Sequence, residues 1–105
     1  MKDIHWTRHS KFKLREHWLS ESRVRRVINS PDRIERGIAD GTIAMMRKEK
    51  AIKREFEIWV MLADKGNTRY VISAWRYPGV THPGEPMPKE ILMEMELAAS
   101  EFSDE

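Results

Sequence analysis

The chain has 105 residues, 40% of them hydrophobic, with four Trp, three Phe and two Tyr. That is enough to bury a core and too short for more than one ordinary domain. The absence of cysteine removes disulfides, thiol nucleophiles and thiolate metal sites. The net charge of +2 conceals an asymmetry: residues 1–37 carry ten basic and five acidic side chains, residues 38–81 eight and five, and residues 82–105 one and seven. A basic body with an acidic tail points to an anionic partner, an internal electrostatic contact, or both. No window approaches the roughly 20 apolar residues of a membrane-spanning helix, and Met1 to Trp6 has no leader-like apolar run. The expectation is one soluble, cytoplasmic domain with no membrane contact.

Thr7 is placed to cap a helix from Arg8 to about Trp18, with Ser10, Leu14, His17 and Trp18 on one side and Phe12 outside the pattern. Ser20 is placed to cap a second helix, with Glu21 in its first turn and Val24, Val27 and Ile28 as its apolar stripe. Asn29-Ser30-Pro31-Asp32 ends it, because proline disfavours a helical residue before it.

A four-stranded antiparallel meander is predicted next. Arg33 to Ile38 and Thr42 to Lys48 flank the turn signal Ala39-Asp40-Gly41, and the charged stretch from Lys48 to Glu55 reads as a loop. Phe56 to Ala63 puts Phe56, Ile58, Val60 and Leu62 on one face and Glu57, Trp59 and Met61 on the other. After Asp64-Lys65-Gly66-Asn67, residues 69–76 alternate Tyr70, Ile72 and Ala74 with Val71, Ser73 and Trp75. Strands apolar on both faces imply a sheet covered on both sides. Beyond Tyr77-Pro78-Gly79 a Pro-rich linker leads to Pro88, suited to the start of a last helix with the stripe Ile91, Met95, Ala98 and Phe102. The fold class predicted is α+β: two N-terminal helices on the meander, plus a C-terminal amphipathic helix. Residues 1–80 form the main unit, and 81–105 add linker and acidic helix to the same compact body.

Metal-independent RNA cleavage needs a base for the 2′-hydroxyl, cations for the phosphorane and an acid for the leaving oxygen. His9, Lys13 and His17 recur at i, i+4 and i+8 on the first helix, and Arg76 and Tyr77 stand at a strand end; these five are the candidate catalytic residues. Lys11, Arg15, Arg23, Arg25 and Arg26 are candidate phosphate contacts, with Trp75 or Trp6 as stacking platforms. Glycine-rich phosphate loops and a nucleophile elbow are absent, the histidines lack ligand spacing, and neither metal nor cofactor is expected.

Lys13-Leu14-Arg15-Glu16-His17-Trp18-Leu19-Ser20, continuing through Val27-Ile28-Asn29-Ser30-Pro31, resembles the opening of BrnT-type toxins, where Lys-His-Gly-Val-Ser precedes a helix ending at Asp-Pro. His9-Ser10 with Leu14 and Leu19-Ser20 also resembles a related family opening His-Ala-x-x-Arg-Met. Val71-Ile72-Ser73-Ala74-Trp75-Arg76 resembles the BrnT-type Ile-Ser-Ala-Arg-Lys strand. The resemblance covers about half the chain. It implies a RelE/ParE-like fold, RNA as target, metal-independent endoribonuclease chemistry and a cognate antitoxin-like partner. Carried over by position, His17 matches the family histidine and Arg76 the second basic residue of the strand motif. Trp18 stands where the family has glycine, and Trp75 where it has the first basic residue. The alternative is a non-catalytic protein–protein interaction domain on a degenerate toxin-like fold. The acidic helix, with Glu101, Asp104 and Glu105 at its end, is expected to lie on the basic surface of its own chain or of a neighbouring copy, screening part of an RNA site or making a homodimer.

Overall fold

A computed structural model describes residues 2–103; Asp104 and Glu105, part of the acidic helix end, lie outside the described residues. The elements in chain order are β1 (Asp3–Trp6), α1 (Arg8–Glu16), α2 (Glu21–Asn29), β2 (Arg33–Arg36), β3 (Thr42–Lys50), β4 (Glu55–Lys65), β5 (Thr68–Tyr77) and α3 (Lys89–Ser103). The class is α+β, but the sheet has five strands in the order β1-β5-β4-β3-β2. β2 to β5 form the expected antiparallel meander. The added strand, β1, runs parallel to β5, pairing Asp3 with Thr68 and Trp6 with Val71. Four residues whose only strand partner lies more than sixty positions away leave no local signature.

Both predicted caps form. Thr7 Oγ1 accepts from the Ser10 N–H at 3.1 Å, and Ser20 Oγ from the Arg23 N–H at 3.2 Å. The stretch 48–55, read as a loop, is a loop only over 51–54, because β3 and β4 continue their pairing to Lys50 and Glu55. Their outer ends carry charge yet retain the ladder.

The sheet is a central layer. Ile58, Val60, Leu62, Val71 and Ala74 face α1 and α2, packing with Leu14, Leu19, Val24 and Val27. Trp59, Met61, Ile72 and Trp75 face α3, packing with Ile91, Met95 and Ala98. The strict alternation expected along β5 breaks: Val71 and Ala74 share a face, as do Ile72 and Trp75. The cause is a bulge. Met61 pairs with Ser73 while Leu62 pairs with Val71, so Ile72 is an extra residue that shifts the later side chains to the other face. The α3 stripe is consumed within the chain, with Ile91, Met95 and Ala98 buried. Burying Ile91 and Met95 contributes about 2 kcal/mol each, so α3 belongs to the core and is no removable cover.

The Pro-rich linker is fastened by a buried carboxylate. Glu57 accepts from Trp59 Nε1 at 2.9 Å, from the Thr81 N–H at 2.7 Å and from Thr81 Oγ1 at 2.9 Å. Arg33 Nη1 in turn donates to Thr81 Oγ1 at 2.7 Å. Among the described residues, no helix is long and apolar enough to cross a membrane.

Candidate functional site

β1 covers only Thr68–Val71 of β5, which leaves the second half of that strand as a sheet edge. Edge donors and acceptors need partners, and α1 supplies them at both of its ends. Thr7 Oγ1 donates to the carbonyls of Val71 and Ile72 at 3.1 and 3.2 Å. His17 Nδ1 accepts the N–H of Arg76 at 3.2 Å. His17 and Arg76 therefore meet, through backbone as well as side chain.

Arg76 reaches back across the same junction. Its Nε donates to the His17 carbonyl at 2.7 Å and its Nη2 to the Trp18 carbonyl at 3.2 Å. The guanidinium also lies 5.1 Å from the centroid of Phe56. It thus satisfies carbonyls left open where α1 ends. Burial, together with Arg23 nearby, lowers its pKa from the ordinary arginine value.

Lys13 is buried and donates to Glu16 on α1 and to Glu94 on α3, the latter at 2.7 Å. Burial opposes its charge, but the two carboxylate hydrogen bonds outweigh that and raise its pKa. The same contact with Lys13 holds the Glu16 carboxyl below its ordinary value. His17 Nε2 lies 3.2 Å from Glu16 Oε2 without hydrogen-bond alignment, and 3.7 Å from Glu94. Burial, reinforced by Lys13, lowers the His17 pKa, so the imidazole is neutral at pH 7. With Nδ1 accepting from Arg76, the ring proton sits on Nε2 and neither nitrogen offers a lone pair to a substrate. His9 is also lowered, chiefly by burial, and feels Glu101, Lys13 and Glu94. Tyr77 joins His17 in lining a groove of about 610 Å³ with Trp75, Pro78, Met93, Glu94 and Leu97.

The structure therefore brings His17, Arg76 and Tyr77 to one groove, with Lys13 beside it through Glu94, while His9 lies back at the first turn of α1. It also inserts two carboxylates among them that the sequence did not single out, Glu16 and Glu94. Glu16, His17 and Glu94 offer three donor atoms within 4.8 Å, a spacing that would suit a cation. Lys13 already places its ammonium against both carboxylates, and so fills that role.

Apart from Arg23, which nears Arg76, and Trp75, which lines the groove, the candidate nucleic-acid residues lie on the outer faces of α1 and α2. Arg8, Lys11, Phe12 and Arg15 are all exposed, at i, i+3, i+4 and i+7 along the outer face of α1. Arg25 and Arg26 are exposed on α2, with Arg25 5.6 Å over the ring of Trp6. Arg23 and Arg26 each approach Glu49 at 3.9 Å. Trp75 is 1% exposed and stacks on Trp59 at 6.3 Å with rings 4° apart, so its faces are closed to a base.

Trp18 is the aromatic residue that projects, at 86% exposure. It follows α1 in a left-handed conformation, φ +56°. The Leu19 N–H donates to the Leu14 carbonyl at 2.9 Å, and the Trp18 N–H to the Arg15 carbonyl at 3.4 Å. These two bonds, with Leu14 and Leu19 together in the core, make a Schellman turn. Its left-handed position ordinarily takes glycine. Compared with known proteins, the chain matches no protein-family model, no curated protein and no solved structure.

Proposed function

We propose that this protein is a toxin-like domain of RelE/BrnT type that binds single-stranded RNA through the outer face of α1 and α2 and has lost the chemistry of cleavage. The observation that carries this is Trp18: a large aromatic ring, almost fully exposed, held on a strained backbone beside Arg15. Strain of this kind persists where the surroundings over-determine it, and it concentrates at functional sites. Phe12, also exposed, interrupts the basic stripe of Arg8, Lys11 and Arg15. Alternation of cations with open rings suits a strand whose phosphates and bases alternate. The loss of cleavage rests on occupancy: Lys13 is ion-paired, Arg76 is spent on carbonyls, and the lone pair of His17 Nδ1 is taken by the Arg76 N–H.

The test is a titration of labelled single-stranded RNA at two salt concentrations, with RNA length checked by gel. Three to five phosphate contacts predict an affinity loss of about 20–100-fold between about 50 and 200 mM salt, with the RNA left intact. A salt-independent response contradicts phosphate contact.

A second reading, a protein-interaction domain, draws on the groove between β5 and α3. Its floor and wall of Tyr77, Pro78, Met93 and Leu97 are apolar, and Met93 and Leu97 are exposed. A hydrophobic dye that fluoresces with the native protein, and not with Met93→Asp, favours that reading; no dye binding counts against it.

A further inference from the structure

A cavity of about 470 Å³ opens between β1, α2 and β5, lined by Lys2, Ile4, Arg25, Ile28, Asn29 and Arg69. Half of this lining is cationic, none of it is acidic, and the three cations come from segments far apart in sequence. Each cation is held by a contact that leaves donors free. Arg69 gives Nε and Nη2 to the two oxygens of Asp64, at 2.7 and 2.9 Å, and keeps Nη1. Lys2 gives one N–H to the Gly66 carbonyl at 2.7 Å and keeps two. Arg25 lies 5.6 Å over the ring of Trp6, a contact through its face that spends none of its N–H groups. Arg69 first, and Lys2 as well, hold the Asp64 carboxyl below its ordinary value, so both cations stand near one carboxylate. The balance is one acid against three cations. The carbonyl end of α2 adds about half a negative charge. Arg47 Nη1 covers part of that end by donating to the Ser30 carbonyl at 2.7 Å, and the cavity stays positive.

We infer that this cavity binds the phosphate of a nucleoside 5′-monophosphate, either free or as the phosphorylated 5′ end of an RNA. The spare N–H groups of Lys2, Arg25 and Arg69 take the phosphate oxygens. A terminal phosphate carries close to two negative charges and a phosphodiester only one, so three cations favour the former. The phosphate leaves most of the cavity unfilled. Ile4 and Ile28 line that remainder and suit the flat face of a base. Asn29 is exposed beside them, and its amide both donates and accepts, as a base edge or a ribose hydroxyl requires. Lys2 and Arg25 are exposed and Arg69 is half-buried, so a solute can reach all three. With a free nucleotide the inference stands apart from the RNA-binding reading; with an RNA end it rests on it, adding Lys2 and Arg69 to the α1–α2 face.

Two titrations test this. The first uses adenosine 5′-monophosphate, with adenosine as the control lacking phosphate. The second compares a short RNA carrying a 5′-phosphate with the same RNA carrying a 5′-hydroxyl. Lys2→Gln and Arg25→Gln should each weaken phosphate-dependent binding about tenfold, the scale of one charge-assisted hydrogen bond. Both side chains are exposed, so each variant should keep the wild-type circular dichroism spectrum. Binding of the monophosphate but not of adenosine, with no preference between the RNAs, assigns the cavity to a free nucleotide. Tighter binding of the phosphorylated RNA, reduced by the same variants, assigns it to an RNA end. If the monophosphate binds no better than adenosine and the two RNAs bind equally, the inference is overturned, while equal RNA binding leaves the α1–α2 face standing. Phosphate-dependent binding that neither variant weakens overturns it too.

Discussion

Arg76 and His17 hold each other twice: the Arg76 backbone N–H donates to His17 Nδ1 at 3.2 Å, and Arg76 Nε donates to the His17 carbonyl at 2.7 Å. A sheet edge and a helix end, each short of partners, satisfy one another through this pair. The role is structural, so Arg76→Ala should lower unfolding stability by about 2 kcal/mol, the scale of hydrogen bonds from a charged donor. Urea denaturation reads it. An unchanged midpoint would show that water replaces the guanidinium at no cost.

Stability should fall on acidification in two stages. His17 and His9 are held below their ordinary value of 6.5 when folded, first of all by burial. The unfolded chain therefore takes up more protons as pH falls through that value, and stability drops as it does so. Glu16 is held below 4.5 by Lys13, so its contribution is present above that value and is lost as pH falls further. His17→Asn keeps an acceptor for the Arg76 N–H and removes the titrating ring. Urea midpoints for this variant should vary less with pH across the upper window, and an unaltered pH dependence would contradict the assignment.

Lys13→Met should be costly at neutral pH. It removes the ammonium that both Glu16 and Glu94 contact and leaves two facing carboxylates partly buried. The expected loss is about 2–4 kcal/mol. Adding Glu94→Gln should restore part of it, since the two effects share one contact. Strict additivity of the two losses would place the stabilisation elsewhere.

Trp18→Gly should stabilise the fold although it deletes a large side chain. A left-handed residue with a Cβ costs about 1–2 kcal/mol, against about 0.5–1 kcal/mol for the extra backbone freedom of glycine. A rise in Tm of a few degrees is expected. A fall would mean that the indole packs rather than projects.

Local chemistry made much of this architecture legible. Thr7 and Ser20 announce the helix starts, Asp40-Gly41 the β2–β3 turn, and the spacing of Ile91, Met95 and Ala98 the buried face of α3. The candidate cluster was legible as a list, since His9, Lys13 and His17 share one side of α1. Its chemistry was not, because Glu94 comes from a helix more than seventy residues later and neutralises Lys13 only in three dimensions. The β1 pairing, the extra residue at Ile72 and the link from Glu57 to Thr81 are equally non-local. The significance of Trp18 needed a dihedral angle, which composition and spacing do not carry.

The most direct test compares RNA affinity of the wild type, Trp18→Phe and Trp18→Ala at low salt, with the RNA length followed in parallel. Stacking on an aromatic ring is worth about 1–3 kcal/mol per base, so Trp18→Ala should bind roughly tenfold or more weakly while Trp18→Phe retains most of the affinity and the RNA stays intact. Equal affinity for the alanine variant and the wild type, or RNA cut by the wild type, would contradict the account.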